Sequence, residues 1–278
     1  MNPGIYTISQ VDYLGDPCPA PSLSSSLARL MVSHSPRHVF EAHPKLNPNY
    51  EREERAAFDF GTAAHAHLLQ GRDAFVIIDA TDFRTKAAQQ ARDQARAAGQ
   101  IALLAEQWRR VQEMALAAMR QLDANEDPPR PLANGKPEQT LVWQEDGAWC
   151  RARLDWLHDD RKTIDDLKTT GASANPDVWT RALFGAGHDV QAAFYLRGLK
   201  ALTGITAAFR FVVQETFPPY ALSVIGLAPD ALALAEAKVK YALTLWRHCV
   251  ELNEWRGYPR HTCWAITPAW EEARWGEQ

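Results

Sequence analysis

The chain has 278 residues, of which 46% are hydrophobic and 23% charged, and 30 Lys and Arg stand against 34 Asp and Glu for a formal net charge of −4. That much apolar material builds a sizeable core and excludes a disordered chain, and one domain with elaborations is the expectation from size. The acidic balance removes any global attraction to nucleic acid or anionic lipid. No apolar run approaches the ~20 residues of a membrane span, and the polar start has no signal-peptide core, so a soluble cytoplasmic protein is expected. Cys18, Cys150, Cys249 and Cys263 are widely spaced, without a C-x-x-C pair, and point to plain thiols.

The segment to about residue 50 is rich in Pro and Ser. A helix is expected over Ser24–Met31, where Leu27, Leu30 and Met31 recur at helical spacing, with Pro36 and Pro44 as interruptions. A charged patch, Glu51–Arg55, leads into Phe58-Asp-Phe-Gly-Thr-Ala-Ala-His, a turn at Gly61 that opens a helix. Lys86–Ala98 is rich in Ala, Gln and Arg, and a further helix runs from about Ala105 to Ala124, ahead of the breakers Asp127-Pro-Pro-Arg-Pro. Residues 1–130 thus read as a mainly helical N-terminal part.

From Glu138 the pattern changes. Gln139–Gln144 and Trp149–Trp156 alternate as strands do, and Glu145-Asp-Gly-Ala between them signals a hairpin. Thr163–Thr169 reads as a third strand. Helices are expected around Asp177–Phe184 and Val190–Thr203, strands near Ala207–Glu215 and Ala221–Gly226, and a long helix from Asp230 to about Asn253. The order describes an α/β fold in one domain, with a sheet core over 131–228 and a C-terminal helix and tail over 229–278.

Asp155, Asp166 and Lys168 carry the chemistry. With their strands adjacent and antiparallel, Asp155 sits beside Asp166, and Lys168, two residues on, shares the face of Asp166. Two neighbouring carboxylates repel unless a cation lies between them, and such oxygen donors suit Mg²⁺ or Mn²⁺. An ammonium beside them can position or deprotonate a water, so the set suits hydrolysis of a phosphate ester. Asp-x-Lys alone also describes an ion pair on a solvated strand edge, worth at most ~1 kcal/mol.

Five motifs occur in a fixed order: Gly61-Thr-Ala-Ala-His65, Glu138, Asp155, Asp166-Leu-Lys168 and Gln191-Ala-Ala-Phe-Tyr195. This order resembles the RecB-type branch of the PD-(D/E)XK nuclease superfamily, and within it the RecE-like exonucleases (exodeoxyribonuclease VIII family). Pro3-Gly-Ile-Tyr6, Cys150-Arg-Ala-Arg-Leu-Asp155 and Ile164-Asp-Asp-Leu-Lys-Thr-Thr170 extend the likeness over most of the chain. The resemblance implies a restriction-endonuclease-like mixed β-sheet core flanked by helices. It implies that His65, Asp155, Asp166 and the Leu167 carbonyl bind metal, that Lys168 orients or activates water, and that Glu138 is a further carboxylate near the metal. Gln191 and Tyr195, four apart on a helix, would face the DNA and the catalytic centre. His67 points roughly opposite to His65, and Asp165 lies on the other strand face, so neither is counted.

The same resemblance implies an Mg²⁺-dependent exonuclease that enters at double-stranded DNA ends and degrades the 5′-terminated strand, leaving 3′ single-stranded tails. Mn²⁺ would substitute. A RecT-type single-strand annealing protein is the implied partner, a homo-oligomeric ring (trimer or tetramer) the implied assembly, and phage or prophage recombination in a bacterial cytoplasm the setting. Some relatives hold an iron–sulfur cluster, but Ser35 stands where its first Cys would be and only Cys249 and Cys263 lie near the C-terminus, so no cluster is expected. Arg153, two residues before Asp155, is the expected phosphate contact among basic residues that include Arg109, Arg110, Arg151, Arg181, Arg197 and Lys200. Trp246, Trp255, Trp264, Trp270 and Trp275 suit either a subunit or partner seam or core packing. The alternative function is a non-catalytic DNA-end-binding or recombination scaffold that keeps the nuclease fold.

Overall fold

The hairpin at the centre of the chain sets the sheet. Asp146 and Gly147 both take positive φ, 49° and 83°, which is the two-residue turn whose twist matches a right-handed hairpin. It joins β5 (Gly135–Glu145) to β6 (Ala148–His158), whose register runs from Gly135 opposite His158 to Glu145 opposite Ala148. The computed structural model describes residues 1–51 and 60–276. Around the hairpin, β1 (Gly4–Thr7) pairs antiparallel with β5, and β6 continues to β7 (Thr163–Thr170), β8 (Ala208–Glu215) and β9 (Leu222–Gly226) in the order β1-β5-β6-β7-β8-β9. Only β7 and β8 on this path are parallel. The crossover between them carries α7 (Pro176–Gly185) and α8 (His188–Thr203).

Helices cover both faces. On one, α2 (Ser25–Ser33), α8 and α9 (Pro229–Leu252) bury Leu141, Trp143, Leu154, Phe211 and Val213 of the sheet. The approach of α8 is close enough that a methyl group on Gly198 would stand 2.7 Å from the Trp143 ring. On the other face, α4 (Phe60–Gln70) and α6 (Ala105–Asp123) cover Leu167 and Val212 through Leu69 and Leu122. A two-stranded parallel sheet, β3 (Phe75–Ile78) with β4 (Ile101–Leu104), packs against α5 (Lys86–Ala97) and α6. Among the described residues no helix is long and apolar enough to cross a membrane.

The mixed α/β core flanked by helices is the architecture expected. The first 130 residues are more varied than their sequence pattern suggests. Those described contain α1 (Gln10–Leu14), α3 (Pro36–Glu41) and four short strands, including β2 (Ser22–Ser24). Strands of three or four residues are too short for alternation to register, and distant partners hold them. Pro36 begins α3 at a position where its missing N–H is no loss, so it starts a helix as well as ending a pattern. Most of the charged patch, and Phe58, fall outside the described residues. Cys18, Cys150 and Cys249 are buried thiols and Cys263 is exposed.

Candidate active site

Strand β6 has two partners along one edge. Its first residues, Trp149 to Arg151, pair in parallel with Ser22 to Ser24 of β2, and Trp156 and Leu157 pair with Asp165 and Ile164 of β7. Between them, residues 152–155 pair with neither strand along that edge. The alternation of side chains also breaks there: Cys150, Ala152 and Leu154 enter the main core, and so does Leu157, three positions on. The β5–β6 register misses one pair only, Glu138 with Asp155, where Glu138 takes φ 57°. These departures open a notch in the sheet at Asp155, reached by helices from both faces.

From α4, His65 Nε2 lies 3.0 Å from Asp155 Oδ2. The Leu167 N–H donates to the same oxygen at 2.9 Å, a bond that replaces the ladder β6 and β7 would otherwise form. Asp166 and Lys168, adjacent on one face of β7, form an ion pair. From α8, Gln191 Nε2 donates to Asp166 Oδ1 at 2.7 Å. His65, Asp155, Asp166, Lys168 and Gln191 therefore form one contiguous polar cluster.

Its electrostatics are unbalanced. Asp166 is 1% exposed. Burial, together with the facing Asp155 carboxylate, pushes its carboxyl up to about 6 despite Lys168. Burial works the same way on Asp155, but His65, Lys168 and the Leu167 N–H outweigh it and hold that carboxyl below its ordinary range. Burial draws the His65 imidazole down, and the carboxylates of Asp155, Glu138 and Asp166 reverse this to a net rise.

Glu138 is tied to Arg153 by an ion pair, and Arg153 also donates to the Ile8 carbonyl at 2.8 Å. Its guanidinium thus holds Glu138 and the chain after β1. The same-face spacing to Asp155 could not show this, because Glu138 lies on β5 and Ile8 follows β1. Tyr195 shares the helix face of Gln191 but is 6% exposed and packs on Phe209, so it backs the cluster from within the core. Leu167 meets Asp155 through its backbone N–H, while its side chain lies in the opposite core.

Residues set aside in the sequence prove to be structural. The His67 ring packs on Phe75 and Trp108. Asp165 accepts from Arg210, His158 and the Leu132 N–H on the far face. Of the other basic residues, Arg197 pairs with Glu145 and Arg109 with Glu106 and Glu113. Arg151 is buried against Asp16, Ser22 and the Tyr13 ring.

Two features escaped the sequence reading. Asp16, in a left-handed turn, accepts from Ser22 and the Cys18 N–H and faces both Arg151 and His43, 3.2 and 3.4 Å away. This anchors β2 against β6 and so fixes one side of the notch. His188, in the first turn of α8, stacks on Trp179 and lies against Phe211, the ring that Lys168 also approaches. Burial and the Lys168 charge lower it to about 4, so it is neutral. Its spacing three before Gln191 was the one signal available.

Among the described residues, no three His, Cys, Asp or Glu side chains are gathered at the spacing of a formed metal cage; His65 and Lys168 hold the carboxylates. The donor set nevertheless suits a divalent cation. Two carboxyls, buried Asp166 and half-buried Asp155, face each other, the first driven toward neutrality, with an imidazole alongside, and oxygen with one nitrogen is the chemistry of Mg²⁺ or Mn²⁺ sites.

Residues 24–263 match a sequence family described as a PDDEXK-like domain of unknown function (DUF3799). The chain belongs to this PDDEXK-like family. The mixed sheet flanked by helices agrees with that fold. A crystal structure from Eubacterium rectale, named for an inferred exonuclease activity, superposes with a TM-score of 0.56 at 14% identity, covering 92% of this chain and 97% of that one. It shows the shared fold. A phage related exonuclease from Haemophilus somnus has 15% identity over 69% of this chain and 95% of that one, with a TM-score of 0.31, too low to bear on the fold. No curated protein matches the sequence.

Proposed function

We infer that this PDDEXK-like domain is a divalent-metal-dependent DNA exonuclease. The observation that carries the reading is the notch at Asp155. It brings Asp155, Asp166 and Lys168 together with His65 and Gln191, from opposite faces of the sheet, in the stretch 152–155 where β6 has no partner on that edge. His65, Asp155, Asp166 and the Leu167 carbonyl would hold Mg²⁺, or Mn²⁺ in its place, and the cation would neutralise charge developing on the phosphate. Lys168, half-buried and steadied by Asp166, has N–H groups to orient an attacking water. Gln191 holds Asp166 by one oxygen, which leaves the other toward Lys168 and the notch. Arg153 fixes the unusual backbone position of Glu138 beside Asp155.

Catalysis is favoured over a non-catalytic DNA-end scaffold by the cost of the arrangement. A binding surface has no use for a buried carboxyl raised to about 6 by its burial and by a second carboxylate. The resemblance to RecE-like exonucleases adds the finer reading: entry at duplex ends, degradation of the 5′-terminated strand, 3′ tails for a RecT-type annealing protein, and assembly as a trimeric or tetrameric ring in phage or prophage recombination. A duplex labelled at one 5′ end tests it. Early release of that label with Mg²⁺ and none with EDTA is the expected result; cutting of covalently closed circles would contradict an exonuclease.

A further inference from the structure

Beyond Tyr258 the chain leaves the folded body without covering its own apolar residues. Its root is fixed: Trp255 packs on Trp246 and Phe40, the Arg37 N–H donates to the Arg256 carbonyl at 3.0 Å, and Tyr258 meets the His38 ring. From there every residue to Trp270 is exposed, and α10 (Ala269–Trp275) buries no residue. Trp264 is 87% exposed, Ile266 90%, Trp270 68% and Trp275 57%. At ~150–250 Å² per aromatic side chain, these four residues leave roughly 500 Å² of apolar surface on a single strap, at the upper end of what a monomer exposes. The family match ends at residue 263, so Trp264 and all that follows lie past it.

A receiving surface is present on the same molecule. The outer face of α9 carries Leu234, Tyr241 and Leu252, all about half exposed. Positions 234, 241 and 252 fall within ~20° of one another around a helix and span about 27 Å along it. The 18 residues from 259 to 276 reach up to ~60 Å when extended, more than the stripe requires.

We propose that the strap 259–276 docks on α9 of a second copy of this chain, each copy giving one strap and receiving one. The area supports this occupant. Roughly 500 Å² of strap against a matching area of α9 makes about 1,000 Å² per contact, the lower bound for a specific interface, and every copy makes two. The proposal does not depend on the nuclease reading.

The test is particle mass in solution, by light scattering and sedimentation equilibrium, on the full chain and two variants. One carries Trp264→Ser, Trp270→Ser and Trp275→Ser; the other carries Leu234→Asp and Tyr241→Asp. The unaltered chain is expected to form a closed oligomer, and each variant to need at least about 100-fold higher concentration to associate. Mixing the two variants restores one good contact, strap of the second on α9 of the first, so a hetero-pair is expected. All substituted positions are exposed, and thermal unfolding checks that the variants fold. A monomeric unaltered chain, or variants that keep its mass, would overturn the proposal.

Discussion

Removing the side chain of Gln191 tests how the site holds its carboxylates. Gln191→Ala deletes the 2.7 Å hydrogen bond to Asp166 Oδ1 and leaves that oxygen with no donor in a setting 1% exposed. A hydrogen bond to a charged group contributes ~1.5–3 kcal/mol, and each 1.36 kcal/mol is a factor of ten, so the ionised form of Asp166 becomes about 10–100-fold less favoured. Its carboxyl already stands at about 6, so the loss falls within the working pH range. Cleavage of an end-labelled duplex, followed from pH 6.5 to 9 at limiting Mg²⁺, where the carboxyl must ionise before the cation binds, should show the turnover rate reduced about 2–10-fold at pH 7 and largely recovered at pH 9, with KM for DNA little changed. Activity equal to the unaltered protein, or a pH-independent loss confined to KM, would refute the reasoning and place Gln191 on the DNA.

Three further outcomes follow from the same structure. Asp166 has a folded pKa raised above its ordinary 3.8, so the metal-free protein has its full stability below that value and loses some as pH rises through about 6; Mg²⁺ should therefore raise Tm more at pH 8 than at pH 5, and equal increments would contradict this. Asp16 is held well below the ordinary carboxylate range by His43, Arg151 and Ser22 against the opposing effect of burial, so its contribution is complete above about pH 4 and fades with further acidification. Asp16→Ala strands the buried Arg151 and should cost ~3–5 kcal/mol, a Tm loss of roughly 6–20 °C for a chain of this size; a loss under 2 °C in thermal unfolding would show that the network carries no load. Arg153→Met releases Glu138 from its partner and should lower kcat about tenfold with DNA affinity unchanged; a weakened affinity at intact kcat would make Arg153 a phosphate contact instead.

The residues legible in the sequence were those whose relation is local or ordered along the chain. Asp166 and Lys168 share a strand face by spacing alone, and Asp155 meets Asp166 because the two strands are neighbours. His65 and Gln191 were placed by the order of motifs, and the structure brings both to the carboxylates. What spacing could not show depends on contacts far apart in sequence. The partnership of Arg153 with Glu138 and the Ile8 carbonyl joins three segments, and the insertion of β2 beside β6 rests on Asp16 meeting Arg151, 135 positions later. The left-handed backbone of Glu138 is likewise invisible in a residue type that rarely adopts it. The Trp-rich C-terminus divided: Trp246 is core, whereas Trp264, Trp270 and Trp275 are exposed.

The central claim is that the notch at Asp155 hydrolyses phosphodiesters, and Asp166→Ala tests it most directly. With an end-labelled duplex in Mg²⁺ under single-turnover conditions, the unaltered chain should release label while Asp166→Ala, folded and binding the same duplex equally well, should release none above the EDTA control. Undiminished cleavage by that variant would place the chemistry elsewhere in the molecule.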